Sequence, residues 1–262
     1  LEHLNTDYRC KFYTSLTADD IVVTDNLILR PTCATVINLP QSWFGIYSYT
    51  PEHTAPPDRA YSFKTRRIDS IRQEIFLELH YRLHHFEDGY VSFDCSDHSS
   101  DQSTESKQKL WHQAWITHSP ATKQKYQVSF DQLSEHVPYT NHDIDIDQAY
   151  SRSMLNMVIE TYSSEHAVAL SEKTFRALVT PRLWTLYSGK HSVAYLRSLG
   201  FDVMDDLIDH NSYDTLSHYQ DKVTEFIAAS NPMVKRFDWQ DIENRCNQSA
   251  EHNQNILSQF KQ

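Results

Sequence analysis

The sequence predicts an α/β protein with parallel sheets, and three observations lead to that prediction. Short apolar runs alternate along the chain with longer segments whose apolar residues recur at helical spacing. Several of these runs stop at an acidic residue, as at Asp25, Asp94 and Glu160. Two helical segments close the chain. Strands that alternate with helices favour parallel pairing, because a helix is the usual connection between parallel neighbours.

The first half of the chain supplies four predicted strands and one predicted helix. The helix is predicted from Ser70 to His84, where apolar residues recur at helical spacing. From Ser96 to Lys109 the chain has no apolar residue, so this segment is predicted to be an exposed loop. The predicted strands span residues 20–24, 35–39, 60–63 and 89–93.

The second half repeats the alternation of strand and helix. One helix is predicted to begin at Ser171, and another follows Gly189 and stops at Gly200. We place the boundary between the halves after residue 135, which divides the chain into 1–135 and 136–262. The other predicted elements are parallel strands at 155–160 and 182–187 and closing helices at 214–229 and 238–260.

Composition excludes several classes of protein. Lys and Arg number 24 against 35 Asp and Glu, and the resulting charge of −11 argues against non-specific binding to bare nucleic acid. Four glycines in total, none in the required spacing, exclude a P-loop and a dinucleotide-binding fingerprint. The four cysteines are widely spaced, without a paired metal-binding pattern, and fit a reducing cytosol. No apolar run approaches ~18 residues, so we expect a cytoplasmic protein without a membrane span.

A helix that begins at Ser171 would place two charged side chains where a phosphate can bind. Ser171 is a suitable N-cap, because its hydroxyl can accept a hydrogen bond from a free N–H of the first turn. Glu172 and Lys173 then lie beside unpaired backbone donors and the positive end of the helix dipole. The lysine can bind phosphates, and the glutamate can accept from ribose hydroxyls. An ordinary capped helix with a solvated Glu-Lys pair is the alternative for this triplet alone.

Further motifs surround the triplet between residues 158 and 214. A strand ends in Ile159-Glu160-Thr161, the triplet continues as Thr174-Phe175, a glycine follows the second strand, and the next helix carries Leu196-Arg197-Ser198-Leu199-Gly200-Phe201. Together they resemble the donor-binding half of GT-B-type glycosyltransferases, in particular a fucosyltransferase-like pattern. The later Asp209 and Ser212-Tyr213-Asp214 are similar to the ending found in small phage and bacterial members.

The resemblance implies a GT-B-like fold with two Rossmann-like halves. The N-terminal half, 1–135, would lie on the acceptor side, and the C-terminal half, 136–262, would bind the nucleotide-sugar donor. Glu172 would bind the ribose and Lys173 the donor phosphates, while Glu160, Ser171 and Gly189 complete the predicted donor site. Relatives usually carry a turn such as G-x-P-G after the second strand, whereas this chain has a single glycine there.

A basic cluster in the first half extends the predicted donor site. Arg59, Lys64, Arg66, Arg67 and Arg72 lie within one strand-to-helix segment. The adjacent Arg66 and Arg67 could clamp a pyrophosphate, because guanidinium groups bind phosphate oxygens in pairs. A solvated basic helix start that pairs with neighbouring acids would explain the same cluster.

These features predict a metal-independent glycosyltransferase that transfers a sugar from a nucleotide-sugar donor to a hydroxyl acceptor. Lys173 and the helix start would stabilise the charge of the leaving diphosphate. The acceptor hydroxyl requires a general base, for which Asp25 and Asp94 are the candidates. The donor is a co-substrate and no cofactor is expected. A glycan, a small molecule and a modified nucleobase in DNA are all open as the acceptor.

Two alternatives compete with this prediction. One is a non-catalytic nucleotide-binding module that keeps the same fold. The other is a GT-A-type transferase whose metal ion is held by Asp143 and Asp145, since a D-x-D motif binds divalent cations in that class. The residues before Asp143 are polar and broken by a proline, which favours an acidic turn leading into a helix near Tyr150.

Overall fold

The computed structural model describes most of the chain from residue 55 onward and two short segments before it. Asp25, Arg66 and Thr161 lie outside the described residues, so the predictions made for them concern positions that the structure does not describe. The described ranges are 21–24, 35–38, 55–65, 67–83, 86–94, 103–160, 167–236 and 238–259.

Eight strands within these ranges form two sheets. They are β1 (Ile21–Thr24), β2 (Thr35–Asn38), β3 (Arg59–Thr65), β4 (Gly89–Phe93), β5 (Tyr139–Thr140), β6 (Ser153–Ile159), β7 (Ala167–Ala169) and β8 (Leu183–Tyr187). The larger sheet has the order β5-β4-β3-β6-β8, and all its pairs are parallel except β4 with β5. The smaller sheet has the order β1-β2-β7 and is parallel throughout.

Nine helices lie in the described part of the chain. They are α1 (Ser70–Leu83), α2 (Thr104–Thr117), α3 (Pro120–Ser134), α4 (Ile146–Arg152), α5 (Glu172–Val179), α6 (Ser192–Ser198), α7 (Asn211–Asp214), α8 (Tyr219–Arg236) and α9 (Trp239–Gln259). Over the described residues, no helix combines the length and the apolar character that crossing a membrane requires.

The core lies between the larger sheet and the helices that cover it. All seven residues of β6 are buried, as expected for a central parallel strand covered on both faces. On α1, Phe76 is fully buried and stacks on Phe63 of β3 and Phe93 of β4, with ring centroids 5.9 and 4.6 Å apart. Such aromatic contacts fix α1 against the sheet and hold its first turn at the end of β3.

The predicted α/β class is confirmed, whereas two Rossmann-like halves with separate sheets are not. The larger sheet contains β3 and β4 from before residue 135 together with β6 and β8 from after it. Strands β3 and β6 join the two halves of the chain by pairing directly in this sheet. Tyr61 lies opposite Leu155, and Phe63 lies opposite Met157. An apolar run in the sequence indicates a buried strand, but it does not specify which strand lies beside it.

The predicted elements around the triplet are confirmed, and one predicted loop is wrong. Strands β6 and β8 pair in parallel, and α5 begins directly after Ser171. The segment predicted as an exposed loop up to Lys109 is helical from Thr104. Ser103 caps α2 by accepting from the Ser106 N–H at 3.2 Å, and the apolar residues that anchor the helix follow only at Trp111. Residues 104–109 are all polar or charged, so the start of this helix shows no apolar periodicity in the sequence.

Candidate functional site

The parallel strands of the larger sheet end at one side, which we call the carboxyl edge. It comprises the residues that follow β3, β4, β6 and β8, together with the first turns of α1 and α5. Ile159 and Tyr187 lie opposite each other in the final register of β6 and β8. In open parallel sheets ligands bind at this edge, so the predicted donor residues that the structure describes lie where such a site would form.

Glu160, the acid at the end of β6, is engaged within the protein. It is only 2% exposed. Its carboxylate accepts from the Ser171 N–H at 2.7 Å and from the Thr174 hydroxyl. These contacts join the end of β6 to the start of α5, so the structure gives Glu160 a role in positioning the helix.

Ser171 is the N-cap of α5, as the sequence predicts. Its hydroxyl oxygen accepts from the Lys173 N–H at 3.3 Å, and its backbone is extended, with φ of −112° and ψ of 179°. The helix buries Phe175 and Leu178 on its inner face. That packing directs the start of the helix, with Glu172 half-buried beside it, toward the carboxyl edge.

Lys173 is a half-buried cation with little compensation from the protein. Within the described structure its ammonium group makes one hydrogen bond, to the Ile159 carbonyl at 3.4 Å, which is long for such a contact. Burial lowers the pKa of Lys173, and the nearby Glu160 carboxylate opposes that shift. The side chain thus retains donor capacity for an anion at the edge.

Two arginines from the basic cluster lie near Lys173. Arg72 is 4% exposed, pairs with the Asp69 carboxylate and donates to the Glu160 carbonyl at 2.6 Å. Arg67 is exposed. The positive charges of both arginines contribute to the lowered pKa of Lys173, after its burial. By contrast, Arg59 is the first residue of β3 and lies at the opposite end of that strand. The basic cluster, which is continuous in sequence, is therefore divided between the two ends of β3.

Sequence reasoning missed a second lysine at the carboxyl edge. Lys222 on α8 is 4% exposed, and its ammonium group lies 3.3 Å from the Gly189 carbonyl and 5.6 Å from the centre of the Tyr187 ring. Burial lowers the pKa of Lys222 to about 8, an effect that Asp214 opposes and Lys190 reinforces. In the sequence Lys222 stands in an ordinary helical segment without a motif, so only the packing of α8 reveals it.

The helix that follows Gly189 has its N-terminus occupied by the chain itself. The Asp214 carboxylate, 1% exposed, accepts from the Val193 N–H at 3.1 Å and the Ala194 N–H at 3.0 Å. It sits where an external anion would sit at the start of α6. The Gly189 carbonyl also accepts from the Ser192 hydroxyl at 2.7 Å. The start of α5 differs in that a lysine, Lys173, lies in its first turn.

Asp94, one of the two predicted base candidates, lies at the carboxyl edge after β4. Its carboxylate pairs with the Lys107 ammonium group at 2.6 Å, and its side chain is 36% exposed. Lys107 belongs to α2, which the sequence did not predict, and this explains why the pairing was not foreseen.

The acids between Asp143 and Asp147 form a turn into a helix, as their context predicts. Asp145 caps α4 by accepting from the Gln148 N–H at 2.7 Å, and Asp147 pairs with Arg176 at 2.7 Å. Across the described ranges, no three or more His, Cys, Asp or Glu side chains are grouped so that they could hold a metal ion.

Comparisons with known proteins give no family for this chain. No family model matches it, and no curated protein or solved structure is significantly similar to it. The glycosyltransferase resemblance therefore stands on the motifs alone, and the roles assigned to the site residues stay predictions.

Proposed function

We propose that this protein binds a nucleoside diphosphate sugar at the carboxyl edge and transfers the sugar to a hydroxyl acceptor without a metal ion. The observation that carries the proposal is the placement of Lys173. It lies in the first turn of α5, at the ligand-binding edge of a parallel sheet, with one long contact to a carbonyl. Within the described ranges no anionic oxygen bonds this ammonium group, and a diphosphate would supply such oxygens.

Neighbouring groups suit the other parts of such a donor. Arg67 and Arg72 add positive charge beside Lys173, and Lys222 adds a second buried ammonium group beyond the end of β8. Fixed cations in a site of low polarity stabilise the charge that develops on a leaving diphosphate. Glu172, half-buried beside Lys173, would accept from ribose hydroxyls.

A nucleotide-binding module without turnover is the second candidate. The Asp94–Lys107 ion pair favours it, because this carboxylate is already engaged by an ammonium group at 2.6 Å, whereas a general base must contact the acceptor hydroxyl. Asp25, the other base candidate, lies outside the described residues. The GT-A alternative receives less support, since Asp145 and Asp147 are engaged as a helix cap and an ion pair.

Binding and donor hydrolysis together test the proposal. Nucleoside diphosphates and their sugars should raise the melting temperature, because a ligand at a hundred times its dissociation constant stabilises the folded state by about 2.7 kcal/mol. Slow release of the sugar to water, unchanged by EDTA, is expected of the proposed transferase. Binding without hydrolysis would identify the module, and activity lost on chelation and restored by Mn²⁺ would identify the metal-dependent alternative. Absence of any binding would contradict the proposal.

A further inference from the structure

A cavity opens at the end of the larger sheet opposite the carboxyl edge, where β3 and β6 begin. We call this end of the sheet the amino edge. The volume of the cavity is about 310 Å³, at the small end of the range of about 300–1,000 Å³ typical of small-molecule pockets. The donor residues proposed above lie at the other end of the same strands. The side chains that define its chemistry are Asp58, Arg59, Glu87, Asp88, Met154 and Trp239.

Two buried donors in the cavity wall have no acceptor in the part of the chain that the structure describes. Trp239 is 9% exposed, and its indole N–H has no hydrogen-bond partner among the described residues. The Nε–H of Arg59 is likewise buried without a partner there. A buried donor without an acceptor is costly, so native proteins rarely retain one without a reason. Both groups suit a negatively charged oxygen brought by a ligand.

The indole ring of Trp239 is held in position by a buried arginine, Arg182. The Arg182 guanidinium lies over its ring, with the central carbon 4.3 Å from the ring centre. Arg182 is fully buried and donates to the Ser151 carbonyl at 2.6 Å. The donor of Trp239 is therefore held in place before any ligand arrives, which reduces the entropy lost on binding.

The exposed part of the cavity offers acceptors instead. Glu87 and Asp88 are exposed carboxylates, whereas the Asp58 carboxylate already pairs with Arg152 and accepts from the Tyr90 hydroxyl at 2.7 Å. Glu87 and Asp88 are thus the acids that a ligand can engage. They lie close to the donor wall, because the Ala60 N–H, next to Arg59, donates to the Asp88 carbonyl at 2.8 Å.

We propose that the amino-edge cavity binds a free α-amino acid with an apolar side chain. The carboxylate would accept from Trp239 and Arg59, and the ammonium group would bind to Glu87 and Asp88. Met154 and the indole ring supply apolar surface for the side chain. An anion such as a phosphate would meet the two carboxylates, and a simple amine would leave both buried donors unsatisfied. This proposal does not depend on the function proposed for the carboxyl edge.

Amino acids whose amino group or carboxyl group is blocked test the proposed binding mode. Calorimetric titration of the whole protein with leucine, methionine and phenylalanine should give binding. Their N-acetyl derivatives and their methyl esters should each bind about tenfold more weakly or worse, since each loses a charge-assisted contact. Esters that bind as well as the free amino acids would overturn the proposal in favour of a cation site. Failure of all three amino acids at millimolar concentration would also overturn it.

Three variants locate the binding. Trp239→Phe, which keeps an aromatic ring but removes the N–H, and the exposed double change Glu87→Gln with Asp88→Asn should each weaken the free amino acid about tenfold. Glu251→Gln, an exposed change on the same helix as Trp239, and Lys173→Ala at the other edge should leave binding unchanged. Because Trp239→Phe could perturb folding, the double change at the surface decides. Wild-type affinity in that double variant would overturn the proposal.

Discussion

The carboxyl edge of the larger sheet presents cations held in partly or fully buried positions, whereas the amino edge presents mostly exposed carboxylates. Lys173, Lys222 and Arg72 gather around the ends of β6 and β8, while Glu87 and Asp88 stand in solvent at the other side. The chain as a whole carries a charge of −11. Local burial and charge, and not the net charge of the chain, therefore underlie the ligands that we propose for the two edges.

The difference between the edges follows from the fold. In a parallel sheet the helix that directly follows a strand starts at the carboxyl edge, so its positive dipole end favours anions there. At α6 the protein supplies that anion through Asp214. At α5 the Glu160 carboxylate accepts from the Ser171 N–H, and Lys173 adds a cation in the first turn. The following variants test whether the carboxyl edge differs from the amino edge as described, from the largest expected effect to the smallest.

Replacing Glu160 should have the largest effect, and the effect should be on stability. Glu160→Ala leaves two buried donors, on Ser171 and Thr174, without their acceptor. Each charge-assisted bond contributes about 1.5–3 kcal/mol, so we expect a loss of roughly 3 kcal/mol or more in the free energy of unfolding, measured in urea. The matched control Glu172→Ala should be nearly as stable as wild type. An unchanged free energy in Glu160→Ala, combined with weaker nucleoside binding, would show that Glu160 is a ligand residue after all.

Replacing Lys173 should act on binding and spare stability. Lys173→Ala removes a charge-assisted contact of about 1.5–3 kcal/mol, which corresponds to a ten- to a hundredfold loss in affinity for a nucleoside diphosphate. The bare nucleoside should bind as before. Lys123→Ala is the control, because Lys123 also donates to a carbonyl but on an exposed helix surface. Wild-type diphosphate affinity in Lys173→Ala would place the donor elsewhere.

Lys222 should make both stability and diphosphate binding depend on pH. Its pKa in the folded protein is about 8, below the usual lysine value of 10.5. Between these values the unfolded chain binds more protons than the folded one, so stability should rise as pH increases from 8 to 10.5. Diphosphate affinity should fall about tenfold between pH 7 and pH 9, because the neutral amine no longer attracts the ligand.

The variant Lys222→Met separates these effects from other titrating groups. It should remove the alkaline rise in stability and be at least as stable as wild type at pH 7, because it relieves the cost of a buried charge. Its diphosphate affinity should vary little over the same pH range. A pH profile identical to wild type would mean that Lys222 is not the group responsible.

The smallest effect on the free energy of unfolding is expected at the amino edge, where Arg152→Ala removes the ion pair between Arg152 and Asp58. Their side chains are 50% and 38% exposed, and exposed pairs contribute under about 1 kcal/mol. Arg72→Ala at the carboxyl edge should cost more, since the Arg72 side chain is only 5% exposed and also holds the Glu160 carbonyl. Equal losses in urea unfolding of the two arginine variants would remove the contrast between the edges.

The sequence by itself determined the local elements around the candidate site. The apolar runs that became β6 and β8 are short and bounded, and Ser171 is a strong N-cap, so their extents follow from nearest neighbours in the chain. The acidic turn capped by Asp145 is local in the same way. Such signals depend on interactions within a few residues, which the sequence displays directly.

The tertiary structure alone decided how these elements meet. The pairing of β3 with β6 joins segments almost a hundred residues apart, as the Ser62–Asn156 hydrogen bond spans 94 positions, and no local pattern encodes it. The position of Lys222 beside Gly189 and the pairing of Asp94 with Lys107 likewise depend on how α8 and α2 pack. Burial and electrostatic partners arise only when distant segments exclude water together, so the chain order shows which groups are present but not which of them meet.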